Sequence, residues 1–243
     1  MSRFYVPKYS ITANAITITG KEAHHVLNVM RLKKLDKVVT FNGTGKEYVG
    51  FIKDVKAKSL TIEVVEARTP KTSRNVEVTL IQAIPKKERM DYIIEKSTEL
   101  GVSSIIPIVT SRTIPNWDEF KKSSHVERWR KMARETSRQC GRLDVPNVDE
   151  VDDFQDVIRN LNDYDLKLIA ALSEDSKTMK DVLNKFKTGK LAIAIGPEGD
   201  FTADEVGAAE KYGFKTISLG PRVLKSDTAG LAVLSILNYE FRI

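Results

Sequence analysis

Two short loops carry the residues of this sequence that could do chemistry. Residues 196–201 follow the apolar run 191–195, residues 220–230 follow the apolar run 216–219, and each loop opens with Gly-Pro. Two such loops suggest backbone bent tightly against a flat ligand, although two ordinary turns would have the same composition. Their charged side chains could move a proton and hold an anion. These are Glu198, Arg222, Lys225 and Asp227.

Neither loop has the pattern of a phosphate cradle. The pair Gly45-Lys46 is followed by Glu47 where a phosphate loop needs Ser or Thr, and Thr40 stands where its first glycine belongs. No G-x-G-x-x-G segment follows a predicted strand. A nucleotide-like ligand without a pyrophosphate therefore fits better. S-adenosylmethionine meets this condition, because its adenosine can be held by backbone groups and apolar contacts.

The elements that must position these loops alternate between apolar runs and helical segments. We predict strands at 76–84, 105–109, 166–172, 191–195 and 216–219, and helices at 89–100, 126–140, 178–186, 203–212 and 228–239. This order is typical of an α/β domain whose parallel sheet is covered on both faces. Thr202 and Glu205 form a predicted capping box, and Gly101 and Gly213 are placed to end helices.

The first seventy residues have a different pattern, with short β-branched runs bounded by turn residues. We predict strands at 15–19, 37–41, 48–52 and 60–65, a hairpin at 42–45 and a helix at 22–32 with Val26, Val29 and Met30 on one face. Closely spaced strands of this kind favour a small β-barrel. The polar segment 67–75 reads as a linker, which gives predicted domains at 1–70 and 75–243.

Composition limits the classes of protein and partner. The net charge is +6 and the pI about 9.2, so a polyanion such as RNA is a candidate partner, although a basic solvated surface would give the same charge. No apolar run reaches the length of a membrane span, and the N-terminus has no signal-peptide pattern. One cysteine and three histidines argue against a zinc site, and the single cysteine favours a reducing compartment. We therefore expect a cytoplasmic protein without a metal.

Several segments together resemble the RsmE family of SPOUT-class methyltransferases, which act on 16S ribosomal RNA at ring nitrogen three of a uridine. The two loops resemble the family's signature loops, and the other matching segments follow in the expected order along nearly the whole chain. These segments are Arg3-Phe4, 24–31, 96–102, Glu135 with 139–142, 195–199 and 219–229. Lys225 and Asp227 depart from the family, which usually has Arg and Glu there; both keep the charge and alter the reach.

The resemblance implies a fold, a cofactor and two sets of binding residues. It implies a trefoil-knotted SPOUT domain after a small PUA-like RNA-binding barrel, with S-adenosylmethionine as cofactor and 16S ribosomal RNA or the small ribosomal subunit as partner. The implied cofactor residues are Leu172, Ser173, Ile195, Gly196, Pro197, Gly199, Leu219, Gly220 and Leu224. The implied RNA-binding residues are Arg3, His25, Arg31, Lys86, Arg134, Arg138 and Arg142.

Two features of the catalytic region have alternative interpretations. Asp227 or Glu198 could accept the imide proton while Arg222 or Lys225 holds the uracil carbonyls or an adjacent phosphate, but Asp227 could instead only cap the last helix. Helix 126–140 has a predicted buried stripe, and its arginines form either a solvated ridge or a phosphate track. The stripe is Val126, Trp129, Ala133, Thr136 and Cys140, and the ridge is Arg130, Arg134 and Arg138.

The last predicted helix is apolar almost all round, which indicates a core position or a shared interface. The resemblance implies dimerisation through this region, so we expect a homodimer. A non-catalytic RNA-binding or ribosome-assembly factor is the competing function. It explains the charge and the first domain, but it gives the two Gly-Pro loops no purpose.

Overall fold

The computed structural model describes residues 3–12, 14–69, 75–115, 117–172 and 176–243. The chain divides into two compact units. The first contains residues 1–72 and 134–145, and the second contains residues 73–133 and 146–243. Residues 70–74 of the predicted linker lie outside the described part of the chain. The first unit thus includes a later segment that the predicted division at 70–75 does not assign to it.

The first unit is built on a five-stranded sheet. Its strands are β1 (Arg3–Tyr5), β2 (Ala15–Thr19), β3 (Lys37–Phe41), β4 (Glu47–Lys56) and β5 (Ser59–Arg68), in the order β1-β3-β4-β5-β2. All neighbours are antiparallel except β1 and β3. Two register shifts between β4 and β5 allow the sheet to curl around its apolar core. The hairpin predicted at 42–45 joins β3 to β4, and strand β1 escaped prediction.

The predicted helix at 22–32 is shorter and less regular than expected. Helix α1 (Gly20–His24) continues into a π-helical turn at His25–Val29. Val26 is buried there, but Val29 and Met30 are 59% and 43% exposed, so the predicted common apolar face was wrong. The wider π turn changes the angle between successive side chains, which breaks the spacing that the prediction assumed.

The second unit is an α/β fold with a fully parallel sheet. The main strands are β6 (Val76–Ala83), β7 (Ser104–Val109), β10 (Leu166–Ala170), β12 (Gly189–Ile195) and β13 (Phe214–Ser218), and the short edge strands are β8 (Asn147–Val148), β9 (Asp152–Asp153) and β11 (Lys177–Thr178). The strand order is β11-β13-β10-β12-β6-β7-β8, with β9 also beside β7. The predicted parallel sheet is confirmed.

Helices cover this sheet on both faces. They are α2 (Arg89–Glu99), α3 (Glu119–Cys140), α4 (Phe154–Arg159), α5 (Met179–Leu183), α6 (Ala203–Lys211) and α7 (Ser226–Phe241), and α3 runs into the first unit from Arg134 onward. Ile81 and Ala83 share a core with α4 and α6, whereas Leu80 and Gln82 approach Gly230 of α7. Successive strand residues point to opposite faces, so α7 lies on the face opposite α4 and α6.

The helix-end signals hold. Thr202 and Glu205 form the predicted capping box at the start of α6. Gly101 and Gly213 follow α2 and α6 with φ of 98° and 84°. Within the part of the chain that the structure describes, every helix is too short or too polar to span a lipid bilayer.

Gly101 supports a stability prediction, because two constraints meet at this position. Its φ is positive, and a Cβ there would lie 2.5 Å from the backbone oxygen of Ile243. We expect Gly101→Ala to lower the free energy of unfolding by about 1–3 kcal/mol, measured by urea denaturation. Gly207→Ala is the matched control, because Gly207 lies inside α6 with open space around its Cα. The control should gain roughly 0.5 kcal/mol, and equal effects of both substitutions would contradict the account.

Candidate active site

A cavity of about 360 Å³ opens at the carboxyl ends of β10, β12 and β13. In an open α/β sheet, ligands bind at this edge, and the volume lies in the range of small-molecule sites. The lining comes from the segments that follow these three strands: Ala170–Leu172, Ile195–Asp200, Ile217–Gly220 and Arg222–Ser226, with Ala229. The two Gly-Pro loops therefore face one common space.

The residues predicted to hold the cofactor are brought together here. Every one of them that the structure describes lines the cavity, whereas Ser173 lies outside the described residues. Aliphatic side chains supply much of the wall: Leu172, Ile195, Ile217, Leu219 and Leu224. Apolar walls beside exposed loop backbone suit a flat heterocycle bound through its ring faces and edges.

Asp200 holds two of the loops together. Its Oδ1 accepts a hydrogen bond from the Phe201 N–H at 2.8 Å, and its Oδ2 accepts one from the Leu172 N–H at 3.1 Å. The residue has a φ of 61°, which a short polar side chain tolerates better than most. Asp200 thus joins the loop after β12 to the loop after β10.

Gly196 and Gly199 have little room for side chains. A Cβ at Gly196 would lie 3.2 Å from Asp200 Oδ1 and from Phe201, and one at Gly199 would lie 3.2 Å from Arg112 Cδ. Arg112 also donates from Nη1 to the Gly199 carbonyl at 2.6 Å. The glycines therefore permit close packing of the loop as well as room for a ligand.

The four predicted catalytic residues lie around this region in different settings. Glu198, Arg222 and Lys225 line the cavity, and Asp227 follows in the first turn of α7. Arg222 and Lys225 are exposed. The alternative that Asp227 caps the helix was wrong: the cap position is Lys225, and it makes no side-chain capping hydrogen bond.

Arg89 joins the two carboxylates, and sequence reasoning missed it. Its Nη1 lies 3.6 Å from Asp227 Oδ2 and 3.9 Å from Glu198 Oε1. Glu198 Oε1 also accepts a hydrogen bond from the backbone N–H of Lys86 at 3.0 Å. Arg89 opens α2, the helix that follows strand β6 after a short loop, so its place near the carboxyl edge of the sheet was the available signal.

Glu205 fixes the loop that carries Arg112. This carboxylate is 4% exposed and accepts hydrogen bonds from the N–H of Ser111 and the N–H of Thr202, both at 2.8 Å. Burial acts to raise the pKa of Glu205, but these backbone bonds and the neighbouring hydroxyls outweigh it, so the pKa falls below its ordinary value of 4.5. The charged form therefore stabilises the fold.

Replacing Glu205 should make the free energy of unfolding less dependent on pH in the acidic range. Because its folded pKa is lowered, the carboxylate contributes stability above pH 4.5 that is lost as the pH falls through the folded pKa. We expect Glu205→Gln to cost about 1–3 kcal/mol at neutral pH, and the gap from wild type to narrow below pH 4.5. Urea unfolding from neutral to acid pH measures this. Glu240→Gln, at an exposed position of α7, is the control, and a gap that stayed constant in acid would contradict the account.

The predicted RNA-binding residues of the first unit differ in their availability. Arg31 is exposed, and His25 packs edge-on against Phe4 at 6.0 Å between ring centroids. Arg3 is engaged, because it donates to Glu47 at 2.6 Å and to the Gly141 carbonyl at 2.8 Å. Arg142 is 9% exposed and pairs with Asp144 at 2.7 Å. Burial gives Arg142 a structural role.

Acidic neighbours partly neutralise the arginine ridge on α3. The predicted buried stripe of this helix lacks its last member, Cys140. Arg138 lies 3.5 Å from Glu135, and Arg130 pairs with Glu127 and with Glu150. The predicted stripe is buried from Val126 to Thr136, but Cys140 is exposed, so its predicted burial was wrong. The helix ends at Cys140, where the periodic pattern no longer determines which side chains are covered. Lys86, in the second unit, is exposed.

Family models match both parts of the chain. A model described as an RNA methyltransferase domain matches residues 72–238, and one described as an RNA methyltransferase PUA domain matches residues 18–65. The ribosomal RNA small subunit methyltransferase E of Bacillus subtilis is 32% identical over 94% of this chain and 91% of its own. The enzyme of that name from Rickettsia conorii is 30% identical over 87% of this chain and 84% of its own.

Solved structures match the whole fold. The ribosomal RNA small subunit methyltransferase E of Neisseria gonorrhoeae, solved with S-adenosylmethionine, superposes with a TM-score of 0.88 at 27% identity, covering 98% of this chain and 97% of its own. A Legionella pneumophila protein solved with the same cofactor gives a TM-score of 0.87 at 31% identity, covering 98% and 96%.

Proposed function

The chain belongs to the RsmE family of ribosomal RNA small subunit methyltransferases, and we propose that it transfers a methyl group from S-adenosylmethionine to ring nitrogen three of a uridine in 16S ribosomal RNA. The observation that carries this proposal is the cavity between the two Gly-Pro loops. It gathers the described residues predicted to hold the cofactor in a single space.

The residues of this cavity fit S-adenosylmethionine. Leucine and isoleucine side chains offer faces for an adenine ring, and the loop backbone at the carboxyl ends of the strands offers polar groups for its edges. A phosphate-binding motif is not needed, because S-adenosylmethionine has no phosphate groups. When bound, the cofactor supplies an electrophilic methyl carbon and a sulfonium leaving group.

The protein's own groups then act on the uracil side. Ring nitrogen three of uracil carries a weakly acidic proton, which must leave before the nitrogen becomes a good nucleophile. We assign proton removal to Asp227, whose Oδ2 has Arg89 as its neighbour at 3.6 Å. Glu198 is instead fixed by the backbone N–H of Lys86, so we assign it to loop positioning. Arg222, with Lys225, is placed to hold the carbonyls that gain negative charge.

The set of residues that we propose for RNA binding is smaller than the predicted set. Lys86 is proposed separately for the second unit, and on the first unit the set keeps Arg31, His25, Arg134 and Arg138. It leaves out Arg142 because that side chain is buried, and Arg3 because its guanidinium is bound to Glu47 and Gly141. Binding through phosphates should weaken steeply as salt rises. An RNA substrate of this kind supports a cytoplasmic location.

We further propose that two copies pair through the outward face of α7. Ile236 is 41% exposed and Tyr239 is 89% exposed on a helix whose opposite side is buried in the core. We expect sedimentation at micromolar concentration to give a homodimer for wild type and a monomer for Tyr239→Glu, which would place a charge in an apolar interface. Phe120→Glu, on the exposed start of α3, is the control and should stay dimeric. A monomeric wild type would refute the pairing.

Titration with S-adenosylmethionine separates the enzyme from the competing RNA-binding factor. The enzyme should bind one cofactor per chain with an affinity in the micromolar range, typical of enzymes and their substrates. The variant Gly196→Leu should lose binding, because a Cβ there would lie 3.2 Å from Asp200 and from Phe201, so the larger side chain must displace the loop that lines the cavity. Absence of binding by the folded wild type would favour the non-catalytic factor.

A further inference from the structure

Gln82 and Ser226 form a buried hydrogen-bond chain that ends on the backbone of a cofactor loop. Gln82 is fully buried at the end of β6, and Ser226, the first residue of α7, is 5% exposed. Gln82 Nε2 donates to Ser226 Oγ at 3.0 Å, and Ser226 Oγ donates to the Gly196 carbonyl at 2.6 Å. Three elements of the second unit are thereby joined at one point.

The donor and acceptor roles in these hydrogen bonds are fixed at the Ser226 hydroxyl. Ser226 has one hydroxyl proton and gives it to Gly196, so its lone pairs must accept from Gln82. The other Nε2 proton of Gln82 goes to the Ala83 carbonyl at 3.0 Å. Each donor therefore has one defined partner, which fixes where the Gly196 carbonyl lies.

Placing the Gln82 amide here costs folding free energy that an apolar side chain would not cost. Gln82 Oε1 is buried and has no hydrogen-bond partner in the described part of the chain. It lies 3.2 Å from where a Cβ at Gly230 would stand, so the absent side chain of Gly230 makes room for the amide. A leucine or methionine would fill the position of Gln82 without burying an unpaired acceptor. The amide must contribute something that an apolar side chain cannot.

We infer that Gln82 and Ser226 are positioning residues that set the two cofactor loops relative to each other. Ser226 and Gly196 both line the cavity, one in each loop, and their hydrogen bond joins the loops directly. The inference rests on the proposed function, because it takes the cavity as the site of S-adenosylmethionine. Gln82 lines no part of the cavity and acts through Ser226.

The test is the dissociation constant for S-adenosylmethionine, measured by calorimetry on the full chain. We expect Ser226→Ala and Gln82→Met each to weaken binding by roughly tenfold, because the Gly196 loop loses its anchor. Ser235→Ala is the matched control: it lies on the same helix, and within the described ranges its hydroxyl donates to the carbonyl of Leu231 in its own helix. Wild-type affinity in folded Ser226→Ala and Gln82→Met would overturn the inference, whereas a wild type that binds no cofactor would overturn the proposed function itself.

Gln82→Glu adds a readout that a merely structural role would not move. A carboxyl buried at this position should keep its proton in mild acid and donate to Ser226, and lose it as the pH rises from about 5 to about 8. We expect the affinity of this variant for S-adenosylmethionine to fall more than tenfold over that pH range, whereas the affinity of wild type should not change. An affinity that did not change with pH, in protein shown to be folded by its thermal transition, would overturn the inference.

Discussion

Asp227→Asn should lower turnover at saturating S-adenosylmethionine by about 10² to 10⁴-fold, the usual contribution of a general base. An amide has nearly the shape of a carboxylate but cannot accept the imide proton of uracil. Asp227 does not line the cavity, whereas Lys225 and Ser226 immediately before it do. The affinity for the cofactor should therefore stay at the wild-type value while the chemical step slows.

Two measurements separate this role from a structural one. Asp204→Asn replaces another acidic residue in the first turn of a helix, at an exposed position of α6, and should leave turnover unchanged. Loss of the contact between Asp227 and Arg89 is a surface effect, since both side chains are partly exposed, and should hardly change the thermal transition. Wild-type turnover in folded Asp227→Asn would rule out Asp227 as the general base and would leave Glu198 as the candidate.

Arg222→Gln should lower turnover by roughly 10² to 10³-fold, as expected when a group that stabilises a developing anion is removed. The deprotonated uracil carries its negative charge mainly on the two carbonyl oxygens that flank nitrogen three. Arg222 is exposed at the cavity, and the N–H groups of its guanidinium can donate hydrogen bonds to that charge. Because the interaction grows in the transition state, kcat should fall more than KM for RNA rises.

The control for Arg222 is Arg159→Gln, at an exposed position of α4, where the arginine pairs with Asp156 at 3.0 Å. This variant removes the same charge from the chain and should leave kcat unchanged. An Arg222→Gln enzyme with wild-type kcat and a raised KM for RNA would contradict the assigned role. It would place Arg222 on a phosphate of the RNA instead of on the uracil.

Much of the second unit could be predicted because its signals are local. Apolar runs gave the parallel strands, and the capping box of Thr202 and Glu205 gave the start of α6. The two loops follow neighbouring parallel strands, so their shared place at the carboxyl edge follows from topology. The trefoil knot remains a prediction, because no local sequence pattern determines whether the chain passes through a loop.

The contacts that escaped prediction depend on residues far apart in the sequence. Arg89 approaches Glu198 and Asp227 only because α2 and α7 lie against each other. The hydrogen bond between Gln82 and Ser226 likewise joins residues 144 positions apart. The exposure of Cys140 and Met30 escaped for another reason, since the helical period that predicts burial fails at a helix end and in a π turn.

The most direct test of the proposed reaction is transfer of label from methyl-labelled S-adenosylmethionine to ribosomal RNA. The assay should compare naked 16S RNA, small subunits and large subunits, followed by nucleoside mass spectrometry of the product. We predict that label enters small-subunit RNA alone and is recovered as 3-methyluridine, and that Asp227→Asn abolishes most of it. Cofactor binding without transfer to any of these RNAs, or label recovered in another nucleoside, would contradict the proposed function.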